Sequence, residues 1–180
     1  ILNVMGTGTV SGRAPDTYGP GSAVQSNTSN KNGTINLYSG TYKQVSGASS
    51  SEYTVNLNDA GKMNIYRDAT IVGNISGNAY RIGTPRSGAA SGSIYCAKID
   101  GNVALTGGNT DSNYTTSLVV DGADINGALD VDGTNAITVR HSAKIALLDM
   151  ENSTKLTLDS LRRGADITVR NVGVFTECNP

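Results

Sequence analysis

The stretch TSLVVDGADINGALDVDGTNAITVRHSAKIALLDMENSTKLTLDSLRRGADITVRNVGVF, residues 116–175, repeats one short phrase with variations. SLVVDG, AITVRH and KLTLDS each alternate apolar and polar residues and then stop at Gly, Asp, Ser or a polar run, the pattern of short half-buried strands. Leu118, Ile137, Leu156 and Phe175 follow one another at intervals of 19 residues, and Ile99 lies 19 before Leu118. Upstream, Leu37, Leu57, Ile75 and Ile94 follow at 20, 18 and 19. In a β-solenoid, residues one coil apart sit directly on one another, so an apolar position recurring at this interval is the expected core signature.

Working outward, the same texture runs through TINLYSGTY, EYTVNLN, KMNIY, TIVGNI, GSIYCAKI and NVALTGG. No segment keeps a helical period over three turns. Residues 144–161 come nearest, but their Thr, Ser and Asp content favours strands. Composition agrees. The 180 residues include 22 Gly, 18 Asn, 18 Ser and 19 Thr, with one Phe, eight Tyr and no Trp. Only 16% are charged, against roughly 25% in an average soluble domain, which argues against a helical bundle. With 37% hydrophobic residues and a net charge of −1, the chain is expected to fold rather than remain disordered. No apolar run is long enough for a membrane-spanning helix. The chain starts at Ile1 without a charged n-region or apolar h-region, so it reads as a mature or excised segment.

GTINLYSGTY (33–42), DATIVGNISG (68–77) and ADITVRNVGVF (165–175) resemble the repeats of bacterial cell-surface β-solenoids, among them autotransporter-type adhesin passengers and the Gly/Asn/Thr-rich repeat proteins of Gram-positive surfaces. Residues 33–42 also resemble the first-coil phrase of pectin-lyase-like right-handed β-helices. The resemblance covers most of residues 33–175. It implies an extracellular structural or adhesive role and assigns no site residue.

Charge is uneven. Residues 1–90 carry seven Lys/Arg and four Asp/Glu, and residues 91–180 carry seven and eleven. In an elongated fold ordered like the chain, the two ends would differ in sign and favour head-to-tail contacts. There is no basic patch interleaved with aromatic residues, so nucleic acid is not an expected partner. Cys96 and Cys178 have no C-x-x-C spacing and one His for company, which excludes a structural zinc site. Lying about four coils apart, they are expected to be two separate thiols unless the tail folds back.

Candidate chemistry is sparse. Asn109-Thr110-Asp111 matches a phrase of polygalacturonases, but those enzymes need further Asp residues and a glycine-flanked His, and a turn is the plainer reading. His141, the sole imidazole, sits in RHSA without a recognisable triad. Asp121, Asp124, Asp130 and Asp132, with Gly133 and Asn135, could offer oxygens to Ca²⁺, yet the spacing is not that of an EF-hand or a calcium β-roll. All eight Tyr (Tyr18, Tyr38, Tyr42, Tyr53, Tyr66, Tyr80, Tyr95, Tyr114) precede residue 115; they either present a face for glycan or protein contact or cover the flanks of the coils. Asn27, Asn32, Asn74, Asn113 and Asn152 stand in N-x-S/T sequons, no more than this composition produces by chance. A T-x-T ladder of the ice-binding kind is not present beyond Thr7–Thr9.

Residues 11–34 are turn chemistry, and 46–51 and 84–92 read as loops. This divides the chain into an N-terminal strand and linker, 1–32, and a main domain, 33–180. Residues 1–10 would cap the first coil or act as a donor strand to another copy. The expected fold is therefore all-β, a parallel right-handed β-helix of ~19-residue coils, with a β-sandwich pilin as the alternative. The expected function is non-enzymatic, extracellular, and structural or adhesive: a stalk, adhesin segment or filament subunit. The alternatives are a donor-strand pilin and a carbohydrate-active β-helix enzyme fragment. Partners would be further copies of the chain, or a surface glycan or protein. No catalytic, metal or cofactor residue is assigned.

Overall fold

Short strands rich in Val, Ile and Thr cannot bury their apolar side chains alone, so they pair. The computed structural model describes residues 1–12, 23–25, 34–43, 55–58, 62–73, 75–78, 80–81, 84–85, 91–106, 117–132, 136–150, 155–170 and 174–179. Every regular element among them is a β-strand, and 17 strands hydrogen-bond into one sheet in which every pairing is parallel. The single antiparallel pair, Tyr80–Arg81 with Thr84–Pro85, stands apart. A β-sandwich pilin is built on antiparallel sheets, so that alternative does not describe this chain.

The pairings sort into three ladders. The first joins Leu2–Val4, the front of Thr34–Lys43, the front of Lys62–Val72, Ser91–Tyr95, Ser117–Asp121, Ala136–His141, Lys155–Leu161 and Val174–Asn179. The second joins Thr9–Ser11, the backs of Thr34–Lys43 and Lys62–Val72, Lys98–Asp100, and the fronts of Asp124–Asp132, Lys144–Met150 and Asp166–Arg170. The third joins Val24–Gln25, Val55–Asn58, Ile75–Asn78, Val103–Thr106 and the backs of those last three strands. The chain visits the ladders in that order and returns to the first. Residues 1–12 and 23–25, expected as strand and linker, supply the first strand of each ladder. Val24 is buried there, a core position that the turn-rich reading of 11–34 did not contain.

In-register stacking makes columns. Ile35, Met63, Gly92, Leu118, Ile137 and Leu156 form one buried column; Leu37, Ile65, Ile94, Val120 and Val139 form the next. The second ladder contributes Tyr42, Ile71, Ile99, Ile125 and Ile145, and the third Ile75, Val103, Leu129 and Leu148. Each fully buried Ile or Leu contributes about 1.5–3 kcal/mol of transfer free energy, before the entropy of ordering is subtracted.

The expected 19-residue spacing holds from Leu118 through Ile137 and Leu156 to Phe175. It fails upstream. Ile99 pairs with Ile71 and Ile125, not Leu118, and Leu37 pairs with Ile65 rather than leading to Leu57. Successive partners there are farther apart in sequence, as in Leu2–Ile35, Ile35–Met63 and Gly92–Leu118. Extra residues between strands leave the ladders intact, because register is set by the strands and a longer connection adds only a slowly growing entropy cost. Within 144–161, Lys144–Met150 and Lys155–Leu161 are strands, as expected. Residues 84–92 are not wholly loop, since Thr84–Pro85 and Ser91–Tyr95 are strands; 46–51 lie outside the described residues.

The corner between the first two ladders is sharp. Cys96 (φ 51°), Gly122 (φ 61°), His141 (φ 57°) and Ser160 (φ 51°) take left-handed backbone there. Behind them Ala97, Ala123 and Ala143 are buried, and their carbonyls accept from the N–H groups of Asp124, Lys144 and Asp166 respectively. Only a small side chain fits inside so tight a bend.

Candidate functional site: a groove lined by stacked tyrosines

Where three strands leave the first ladder they carry one phrase: Asn36-Leu37-Tyr38, Asn64-Ile65-Tyr66 and Ser93-Ile94-Tyr95. Its middle residue points into the core, and the outer two point away from it, by the alternation of a strand. Register then stacks like on like. Asn64 Nδ2 donates to Asn36 Oδ1 at 2.7 Å, and Asn36 Nδ2 donates to Asn3 Oδ1 at 2.8 Å. The rings of Tyr38 and Tyr66 stack with centroids 4.6 Å apart at 9°, and those of Tyr66 and Tyr95 at 5.4 Å and 22°. Burial, followed by the neighbouring Tyr38 and Tyr95 phenols, raises the pKa of Tyr66 above the ordinary tyrosine range.

The stack lines an open groove of about 430 Å³, with Met5, Ser39, Arg67, Asp68 and Cys96 around it. Met5 follows Val4, the partner of Leu37, and so continues the tyrosine column at its upstream end. It is 74% exposed. Ser39 is held by Gly6: its hydroxyl accepts from the Gly6 N–H and donates to the Gly6 carbonyl, both at 2.8 Å. Arg67 and Asp68 are exposed. Among the described residues, Arg67 has one polar contact, Nη2 to Cys96 Sγ at 3.9 Å, and the Asp68 carboxylate has none. Cys96 is an exposed free thiol; Cys178 stands in Val174–Asn179, paired with Leu158 two strands further along the first ladder than the partner of Tyr95, Asp121.

Downstream of Tyr95 the column changes character, to Asp121, Arg140 and Asp159. His141 Nδ1 pairs with Asp121 Oδ1. Arg140 Nε lies 2.7 Å from Asp159 Oδ2, close enough for charge attraction, although this buried N–H is not aligned for a hydrogen bond. The acidic run does not gather. Asp121 is at the corner, Asp124 on the second ladder in register with Lys98 and Lys144, and Asp130 on the third beside Asp149. Among the described residues no group of three or more His, Cys, Asp or Glu could hold a metal ion. A smaller groove of about 200 Å³ follows the second ladder past Asp124, Lys144 and Asp166, whose charges alternate in sign, to Thr168. On the third ladder Arg170 Nη2 donates to Asp149 Oδ2 at 2.5 Å, and that hydrogen bond raises the guanidinium's pKa further.

Asn109–Asp111, Asp132's side chain, Gly133, Asn135, the five sequon asparagines, Tyr18, Tyr53 and Tyr114 lie outside the described residues, as does the side chain of Tyr80. Tyr42 is in the core and its hydroxyl donates to the Ser39 carbonyl at 2.7 Å. Thus three of the eight tyrosines form the strip. The signal that picks them out is the repeated phrase Asn/Ser-Leu/Ile-Tyr, spaced at 28 and 29 residues rather than 19. No protein-family model, curated protein or solved structure matches the chain.

Proposed function

We propose that this chain is a right-handed parallel β-solenoid with a structural or adhesive role outside the cell, as a surface stalk, adhesin segment or filament subunit that works by contact rather than by catalysis. The observation that carries the reading is the set of three parallel ladders sharing unbroken buried columns, with side chains on the outside repeating at each pass. Such a body is a stiff rod with periodic faces, suited to many weak contacts along its length. Its first strand, Leu2–Val4, pairs on one side only among the described residues, and Ile1, Leu2 and Met5 are exposed. With a positive bias in residues 1–90 and a negative bias in 91–180, head-to-tail contact between copies is the favoured association.

Negative-stain electron microscopy of the unconcentrated protein, with small-angle X-ray scattering, tests this. Rods or regular filaments with an elongated scattering profile are the expected result. A globular scattering profile would sink the solenoid. Release of reducing ends from acidic polysaccharides, abolished by His141→Ala, would replace the structural role with the enzymatic one.

A further inference from the structure

We infer that the tyrosine-lined groove is a binding site for a neutral saccharide; this rests on the adhesive reading above and names its ligand. Three features converge. The first is size: about 430 Å³ lies within the range of small-ligand sites, roughly 300–1,000 Å³, and three stacked passes give the groove a length of ~10 Å, that of a short oligosaccharide. The second is the way the aromatic surface is used. Tyr38, Tyr66 and Tyr95 cover one another's faces, so a ligand meets a row of phenol edges and hydroxyls, closed upstream by the apolar Met5. A purely apolar ligand gains little from such a row, whereas a ring carrying both C–H and hydroxyl groups can use all of it.

The third is the pair Arg67 and Asp68. Both are exposed on the groove, and their polar atoms are uncommitted among the described residues apart from the long Arg67–Cys96 contact. A guanidinium donates and a carboxylate accepts, so two neighbouring hydroxyls of one sugar can satisfy both at once. An anionic ligand cannot. A phosphate or uronate drawn to Arg67 would be repelled by Asp68, and the pair leaves the groove with no net charge. The chemistry therefore selects neutral sugars over acidic ones.

The test is titration of the 180-residue chain with maltopentaose, cellopentaose and mannopentaose, and with pentagalacturonate as the acidic comparison, each at millimolar concentration. Because the chain has no Trp, tyrosine emission, to which the three strip rings contribute among eight, reports on binding, and calorimetry gives the affinity independently. Saturable binding of at least one neutral pentamer is expected, weakened about tenfold or more in Arg67→Ala and in Asp68→Ala, since each removes a hydrogen bond to a charged group. Both residues are exposed, so these variants keep the fold, and scattering on the same samples shows whether they do. Absence of binding to all three neutral pentamers, binding of pentagalacturonate alone, or neutral binding unchanged in both variants would each overturn the site. If the site fails while the rod-like profile persists, the structural reading stands without it; a globular profile removes that reading itself.

Discussion

The carbonyl oxygen of Gly101 lies 2.3 Å from the point where a β-carbon on Gly127 would stand. The Gly73 carbonyl oxygen stands 2.2 Å from the corresponding point on Gly101. These glycines occupy one turn position, between the second and third ladders, on successive passes. Stacked backbone leaves no room there for any side chain. Gly127→Ala should therefore destabilise the protein by about 1–3 kcal/mol, the range for overpacking at a rigid site. Gly8→Ala, where a β-carbon meets nothing within 4 Å, should change stability by less than about 0.5 kcal/mol. Urea unfolding of the two variants compares them.

Ile137 is fully buried between Leu118 and Leu156, while its neighbour Thr138 is partly exposed on the outer face. Truncation of Ile137 to Ala should cost about 2–5 kcal/mol, because the neighbours above and below are held by the ladder and close the cavity only in part. Thr138→Ala should cost well under half as much. An inverted order in denaturant midpoints would mean that the strand's inward and outward faces are exchanged.

Tyr38 and Tyr66 should couple. In a double-mutant cycle with Tyr38→Ala and Tyr66→Ala, the interaction energy should be about 0.5–1.5 kcal/mol, the range for stacked aromatic pairs beyond area burial. Thermal unfolding of the four proteins measures it, and additivity of the single costs would remove the stack as a source of stability.

Alkali should act through Tyr42 and Tyr66. Burial raises both above the ordinary value of 10.0, and Tyr66 is raised further by Tyr38 and Tyr95. A group whose folded pKa exceeds its unfolded one holds its proton more tightly when folded. Its contribution is therefore complete below about pH 10 and is lost as pH rises through the folded values. Ultraviolet titration of tyrosinate should show a late-ionising fraction, smaller by one in Tyr42→Phe. Stability measured against pH should be flat below about 10 with respect to these groups and fall above it.

Part of this organisation is legible in the residues alone. Alternation in SLVV, AITV and KLTL marks strands, and the 19-residue return of Leu118, Ile137, Leu156 and Phe175 marks which residues stack. The 19-residue return is broken where connections lengthen. Leu37, Ile65 and Ile94 stack as faithfully as the later column, but an interval near 19 joins Leu37 to Ile94 through Leu57 and Ile75, residues of the third ladder, and passes over Ile65. The tyrosine strip was lost for the same reason, since its members share the spacing of Leu37, Ile65 and Ile94. Arg67, Asp68 and Met5 carried no motif at all; they matter through the groove that encloses them.

By itself, then, the sequence determined the class of structure: short alternating strands, few aromatic residues and Gly/Asn-rich turns permit only a β architecture, because local periodicity decides which side of a strand is buried. Tertiary structure alone decided which strands meet. Pairing between Leu2 and Ile35, or between Asp121 and His141, depends on how many residues separate successive strands, and that length leaves no periodic trace. The groove is a product of that pairing, so its composition could be read only after three distant tyrosines had been brought into one column.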